Sequence, residues 1–164
     1  MAASQAEDLS PVIDKGQSFC LNEDAAHSFG NLFIGDETLF LRSSSDDQLI
    51  ILISFKDTVK LESVSFVAPI GDESPSTVKL FINNPSMDFS DCEEGKPVQA
   101  LELTPEDLAA DSVTNLYSVK FQRVNSLTIF VEESTGGDLT QISGLKLFGT
   151  TVQGTNMAEF KKVG

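Results

Sequence analysis

Residues 116 to 133 constrain the fold more than any other part of the chain, because apolar and polar side chains alternate along them. The apolar members are Val119 and Phe121 in a first run and Leu127, Ile129 and Val131 in a second. A period of two is typical of a β-strand that buries one face. We therefore predict two antiparallel strands joined by a turn at Asn125-Ser126, in a sheet whose apolar face needs a second layer to cover it.

Other short strands are predicted on both sides of this pair. The continuous apolar run at residues 48 to 55 indicates a central strand that is buried on both faces. A turn at Lys56-Asp57 leads into residues 59 to 67, where the apolar set slips by one position around Ser63, which indicates a β-bulge. The remaining predicted strands are residues 18 to 21, 32 to 34, 38 to 42, 78 to 82, 98 to 103 and 142 to 148.

The predicted helices are short. Residues 22 to 24 cap one helical turn at 25 to 27, Thr104-Pro105 begins a helix that ends near Asp111, and residues 156 to 162 form a last turn. Eight or nine strands with so little helix predict an all-β fold, a two-sheet jelly-roll sandwich. The 164 residues suffice for one domain with its own core, so we expect a flexible lead at residues 1 to 10 and a single domain at 11 to 164.

The charge of the chain favours a basic protein partner. The formal net charge is −14, with 25 acidic residues against 11 lysines and arginines, spread over both halves. Such a surface repels nucleic acid and anionic membranes. No apolar run approaches the roughly 18 residues that cross a bilayer, and residues 1 to 9 lack the features of a signal or transit peptide. We expect a cytoplasmic monomer, with access to the nucleus and no membrane contact.

The inventory of reactive side chains is small. His27 is the single histidine, which leaves only a local pairing with Cys20 for nucleophilic catalysis, against the simpler interpretation of a structural thiol. Cys20 and Cys92 form no Cys-x-x-Cys motif, yet a regulatory disulfide between them stays open, so both are candidate redox-sensitive thiols. A thiol-regulated cytosolic protein is therefore one alternative function.

Cofactor and ligand motifs are also sparse. Gly30 and Gly35 have P-loop spacing, but Asp36 follows where lysine is required. The acids at 46–47 and 88–94 lack EF-hand spacing. We predict no enzymatic activity, no metal and no cofactor. A small-ligand or carbohydrate-binding jelly roll is the other alternative, although the chain has no Trp and one Tyr with which to stack on a sugar.

The irregular segment at residues 83 to 97 is the candidate partner-contact loop. It sets two apolar side chains among acids, which is typical of an interaction site. The candidate contact residues are Asn84, Met87, Asp88, Phe89, Asp91, Glu93 and Glu94. The alternative is that Met87 and Phe89 plug the open end of the sandwich, and the sequence favours neither interpretation decisively.

Five blocks of sequence resemble a known family. They are residues 20 to 23, 78 to 89, 99 to 103, 119 to 131 and 149 to 157. In this order, over about residues 8 to 163, they resemble the PITH domain, the proteasome-interacting module that follows a thioredoxin domain in a thioredoxin-like protein. The resemblance implies a galactose-binding-like jelly roll, usually without enzymatic activity, that docks on the 26S proteasome regulatory particle. Since the sequence holds no thioredoxin domain, we expect a stand-alone member of the family.

Overall fold

The structure, a computed structural model, describes residues 6 to 36 and 38 to 152. In these residues it has ten strands, one α-helix and four short 3₁₀ helices. The strands are β1 (Glu7–Asp8), β2 (Phe19–Leu21), β3 (Leu41–Arg42), β4 (Leu49–Val67), β5 (Pro75–Ile82), β6 (Gln99–Glu102), β7 (Thr114–Asn115), β8 (Val124–Ser134), β9 (Gln141–Ile142) and β10 (Gly144–Thr151). The α-helix is α1 (Phe89–Glu94), and the 3₁₀ helices are Ser10–Val12, Phe29–Phe33, Pro105–Leu108 and Ser118–Lys120.

Strand β4 belongs to both layers of the fold. Its first part pairs antiparallel with β2 on one side and β8 on the other, so that Ile51 faces Cys20 and Ile129. Its second part pairs with β10 and β7, so that Val64 faces Leu147 and Thr114. One layer therefore has the order β2-β4-β8-β5-β6 with β2 and β8 flanking β4, and the other has β1-β10-β4-β7.

The core lies between the two layers and is built from the alternating apolar residues of their strands. The largest side chains in it with essentially no exposure are Leu41, Leu49, Ile51, Ile53, Leu61, Phe66, Leu80, Phe121, Leu127 and Ile129. Their spacing of two within β4 and β8 puts them on one face of each strand. The two-layer jelly-roll class predicted from the sequence is confirmed.

The predicted bulge near Ser63 is also confirmed. Phe148 faces Ser63 and Gly149 faces Leu61, so β4 carries one extra residue, Glu62, at this point. Gly149 is required here, because a side chain on it would collide with the backbone carbonyl of Lys60. The predicted turn at Lys56-Asp57 is wrong, since β4 runs through it and only the register with β8 shifts, between Ser54 and Val59.

The strand pair predicted at residues 116 to 133 is confirmed only in its second strand. Residues 127, 129 and 131 line the core in β8, but Asn125 and Ser126 lie inside that strand and form no turn. The predicted strand before them is instead the two-residue β7 followed by the 3₁₀ helix Ser118–Lys120. Val119 is 80% exposed. Only Leu116 and Phe121 reach the interior, so the alternation there does not record a buried face.

Several shorter elements differ from the prediction because their backbone groups form hydrogen bonds within turns and 3₁₀ helices instead of bonds between strands. Residues 29 to 33 form a 3₁₀ helix, and the strand predicted at 38 to 42 shrinks to β3. The predicted helical turn at 25 to 27 is a tight turn closed by the bond from His27 N–H to the Asp24 carbonyl, 2.8 Å. The helix predicted from Thr104 is the 3₁₀ helix Pro105–Leu108.

The ordered domain begins before residue 11. Glu7 and Asp8, assigned to a flexible lead, form β1 against Phe148 and Gly149, and Leu9 is buried. Residues 6 to 10 therefore belong to the folded domain. Residues 1 to 5 of the predicted lead and the predicted helical turn at 156 to 162 lie outside the described residues.

Candidate protein-contact surface

Helix α1 is short and is held by a reciprocal cap. The Asp91 N–H donates to Asp88 Oδ1 at 2.9 Å, and the Asp88 N–H donates to Asp91 Oδ2 at 3.0 Å. The helix ends where the Gly95 N–H donates to the Asp91 carbonyl at 2.8 Å. The cap satisfies donors that a six-residue helix would otherwise leave open, so the segment from Asp88 to Gly95 has one defined conformation.

The inner side of α1 covers an apolar patch on the outer face of the sheet. Ile50, Phe81 and Phe130 lie on the side of their strands opposite the main core, and Cys92 is fully buried among them. Phe89 meets the Phe130 ring edge-on, with the centroids 6.2 Å apart. The half-buried side chains of Met87 and Phe89 therefore anchor the loop to the sheet face rather than plugging the end of the sandwich.

The outer side of α1 is acidic. We call the exposed carboxylates Asp88, Asp91, Glu93 and Glu94 the α1 face. Glu93 Oε2 accepts from Gln48 Nε2 at 3.1 Å, and Lys79 Nζ lies 3.4 Å from Glu132 Oε2 and 3.5 Å from the Glu93 carbonyl. Sequence reasoning missed Gln48, Lys79 and Glu132, because they lie in or beside other strands. The contacts of Gln48 and Lys79 with Glu93 fix the end of α1 to the sheet.

Asn84 is exposed and lies just before α1. Its backbone carbonyl accepts from Thr128 Oγ1 at 3.3 Å, which ties the start of the loop to β8. The preceding residue, Asn83, has a positive φ of 59°, and its side chain accepts from the Asn125 N–H at 2.7 Å. Asn tolerates this backbone conformation better than most residues do. The chain reversal out of β5 is thus fixed on both sides.

The two cysteines lie on opposite faces of the same sheet. Burial, and then the neighbouring Asp91 and Asp88, raise the pKa of the Cys92 thiol to about 11. Cys20 packs against the main core, and burial followed by the Glu23 carboxylate raises its pKa strongly. Neither thiol is ionised at neutral pH, and the sheet lies between them. This geometry opposes both the regulatory disulfide and a Cys20 nucleophile. The ring of His27, the residue proposed to pair with Cys20, stacks on the Phe40 ring with the centroids 4.3 Å apart.

Carboxylates in the loops satisfy the backbone rather than converge on a cation. Asp46 Oδ1 accepts from the Gln48 N–H at 3.0 Å, and Asp47 Oδ2 accepts from the Ser134 N–H at 2.9 Å. Within residues 6 to 36 and 38 to 152, no group of three or more His, Cys, Asp or Glu side chains could hold a metal ion. The same residues include no helix that is long and apolar enough to span a membrane.

A groove lies next to the α1 loop on the outer face of the sheet. It has a volume of about 520 Å³, and we call it the Phe19 groove, after the ring that is 42% exposed at its edge. Leu52 and Pro85 supply apolar surface, and the polar groups that line it include Asp14, Gln17 and Asn125. No local sequence pattern predicts this groove, because its residues come from four separate segments.

Comparison with known proteins decides the family. The PITH domain family matches residues 1 to 164. The chain belongs to the PITH domain family. This PITH domain chain is 37% identical over 160 residues to thioredoxin-like protein 1 of Schizosaccharomyces pombe. The alignment covers 94% of this chain and 55% of that protein, so the chain spans about half the length of this relative. It is 30% identical over 142 residues to human PITH domain-containing protein 1, covering 84% of this chain and 66% of that one.

Solved structures with the same fold include carbohydrate-binding modules. The family 32 module of Clostridium perfringens NanJ, in complex with galactose, aligns with a TM-score of 0.64 at 9% identity, covering 87% of the PITH chain and 98% of the module. The C-terminal domain of a Bacteroides fragilis chitobiase aligns with a TM-score of 0.59 at 14% identity, covering 93% and 99%. At such identities the likeness establishes the shared jelly-roll fold and no more.

The state of the two thiols gives a direct test of the geometry around α1. We expect a thiol reagent at neutral pH to label Cys20 and Cys92 far more slowly in the native PITH domain than in denaturant, and mild oxidation to leave both reduced. Mass spectrometry of the intact protein measures both. Loss of two hydrogens through a Cys20–Cys92 disulfide in the native protein would contradict the placement of the thiols on opposite faces.

The same thiols make stability depend on pH in a known direction. Because the pKa of Cys92 rises from 9.0 to about 11 on folding, the native state keeps a proton that the unfolded state releases between those values. The free energy of unfolding should therefore fall as pH rises from about 9 to 11, and Cys92→Ala should make that fall shallower. Urea denaturation at several pH values measures it, and an unchanged slope in Cys92→Ala would contradict the assignment.

Proposed function

We propose that this domain is a non-catalytic protein-interaction module that docks on a basic surface of the 26S proteasome regulatory particle, in the cytoplasm and nucleus. Membership of the PITH domain family supports the proposal. The observation that carries it is the α1 face, where four exposed carboxylates stand on a helix that is capped at its start and anchored through Phe89 and Cys92.

The rigidity of the α1 face matters for its affinity. Binding through a mobile loop costs free energy, because the loop loses conformational entropy when it becomes ordered. A surface that is already ordered in the free protein avoids this cost. The capping box holds the Asp88 and Asp91 carboxylates, and the bond from Gln48 Nε2 holds that of Glu93, before any partner arrives. The net charge of −14 adds long-range attraction to a basic partner, which accelerates association and weakens as salt rises.

Charge reversal on the α1 face tests this proposal. Glu94 is exposed and takes no part in the cap, so Glu94→Lys should leave the fold intact and lower the affinity for the proteasome roughly three- to tenfold. The measurement is recovery of regulatory-particle subunits on the immobilised domain, quantified by mass spectrometry across a salt series. Asp57→Lys, an equal change of charge at an exposed site in the irregular part of β4, is the matched control.

The outcomes separate the parts of the proposal. Docking through the α1 face is supported if the Asp57→Lys variant recovers proteasome subunits as the wild type does and the Glu94→Lys variant recovers fewer. Equal losses in both variants would assign binding to the overall charge instead. Failure of the wild-type domain to recover any proteasome subunit at low salt would rule out the proteasome as the partner.

The Phe19 groove supports a second candidate function, binding of a neutral sugar. An exposed ring beside amide and carboxylate side chains is the usual combination in carbohydrate sites, where the ring packs on the sugar and polar groups bond its hydroxyls. The family 32 module that shares this fold was solved with galactose. A single phenylalanine is a small platform, so we expect any such binding to be weak.

Titration with galactose and N-acetylgalactosamine tests this candidate. If the groove binds a sugar, nuclear magnetic resonance should show saturable shifts that cluster at Phe19, Leu52 and Asn125, and Phe19→Ala should abolish them. Because Phe19 is 42% exposed and lies outside the buried core, the variant should keep the native spectrum elsewhere. Absence of shifts at millimolar sugar, or shifts that Phe19→Ala leaves unchanged, would rule the candidate out.

A further inference from the structure

Two exposed isoleucines each begin a turn with the tripeptide sequence Ile-Gly-Asp. Ile34-Gly35-Asp36 follows the 3₁₀ helix Phe29–Phe33, and Ile70-Gly71-Asp72 follows the end of β4. Ile34 is 58% exposed and Ile70 is 74% exposed. Gly35 has a φ of +85°, a conformation that side-chain-bearing residues rarely adopt, so the turn after Ile34 depends on this glycine.

The two tripeptides border two adjacent clefts. A cleft of about 380 Å³ is lined by Ile70, Phe40 and Pro105, and a cleft of about 300 Å³ is lined by Ile34, Phe33 and Leu145. Val67, Ala110 and Ser143 line both clefts, so the two lie side by side. We call their union the Val67 groove. Its floor is the place where β4 ends and β10 begins, fixed by the 2.7 Å bond from the Ser143 N–H to the Val67 carbonyl.

The lining of the Val67 groove is mainly apolar, and its edge is acidic. Ile34, Ile70 and Leu39, the last 37% exposed, place large apolar side chains in water at this end of the domain. Apolar surface that is grouped and rimmed by charge marks interaction sites, whereas single exposed apolar residues carry no such meaning. The exposed acids that line the groove or directly follow a lining residue in the chain are Asp8, Asp36, Glu106 and Asp111.

The charge balance of this edge indicates what the groove accepts. Against these four carboxylates stand two cations, Lys146 in the lining and Lys15, whose Nζ lies 5.3 Å from the centroid of the Phe33 ring. The Asp36 carboxylate is fixed beside Ile34, because its Oδ1 accepts from both the N–H (2.9 Å) and the Oγ1 (2.6 Å) of Thr38. An acidic segment would be repelled here, whereas a lysine or arginine beside an apolar side chain would meet an opposite charge.

We propose that the Val67 groove is a second docking site of this domain, which binds a segment of a partner protein carrying apolar side chains flanked by lysine or arginine. The partner's apolar side chains pack between Ile34 and Ile70 over Val67 and Ala110. Its basic side chains lie along the acidic edge. The site is separate from the α1 face, which lies on the outer face of the layer that holds β2, β8 and β5.

Selection from a phage-displayed library of random peptides on the purified wild-type domain tests the proposal. We expect enriched peptides to combine apolar residues with lysine or arginine, and to shift the resonances of Val67, Ala110 and Ser143. Ile34→Ser with Ile70→Ser should weaken binding of the synthetic peptide about tenfold or more. Val113→Ser with Val119→Ser, which removes exposed apolar surface elsewhere, is the matched control and should bind as the wild type does.

Other results would overturn the proposal. They are failure to enrich any peptide, enrichment of acidic peptides, equal binding by the Ile34→Ser/Ile70→Ser variant, and resonance shifts on α1 instead. A concentration-dependent dimer of the wild type that becomes monomeric in this variant would assign the groove to self-association. Glu94→Lys should bind the peptide normally, so failure of this site and failure of the α1 face are distinguishable.

Discussion

The fold depends on the pairing of β4 with four other strands. Its first part bonds to β2 and β8, and its second part bonds to β10 and β7. Because this one strand of 19 residues pairs with strands of both layers, it joins the layers without a separate connection. The apolar residues of both parts enter one core, and the extra residue at Glu62 keeps them facing it after the bulge.

Both proposed contact surfaces follow from how the ends and the outer face of this strand are covered. Near its start, Ile50 turns away from the core and needs a cover, which Phe89 and Cys92 provide. That packing places the carboxylates of α1 outward. At its far end, none of the helices or strands in residues 6 to 36 and 38 to 152 covers Val67 in the same way, and the Val67 groove is open there. One surface is a charged platform, and the other is an apolar groove with an acidic edge.

The sequence predicts most clearly what short-range patterns determine. The continuous apolar run of β4, the slip at Ser63 and the alternation at 78 to 82 each record a real strand feature. Helix α1 is too short for a helical period, and its one local signal was Asp88 three residues before Asp91, a pair also typical of an acidic loop. The Val67 groove is harder still, because residues 34, 70 and 110 meet only after the sheet forms.

Hydrogen exchange along β4 tests the central claim, that one strand unites both layers into a single cooperative unit. The account predicts that the backbone amides of Ile51, Ile53 and Leu61 exchange among the slowest in the protein, with one shared free energy equal to that of global unfolding by denaturant. Exchange of the Leu61 amide by a separate opening of lower free energy, while Ile51 and Ile53 stay protected, would show that the layers unfold independently and would contradict it.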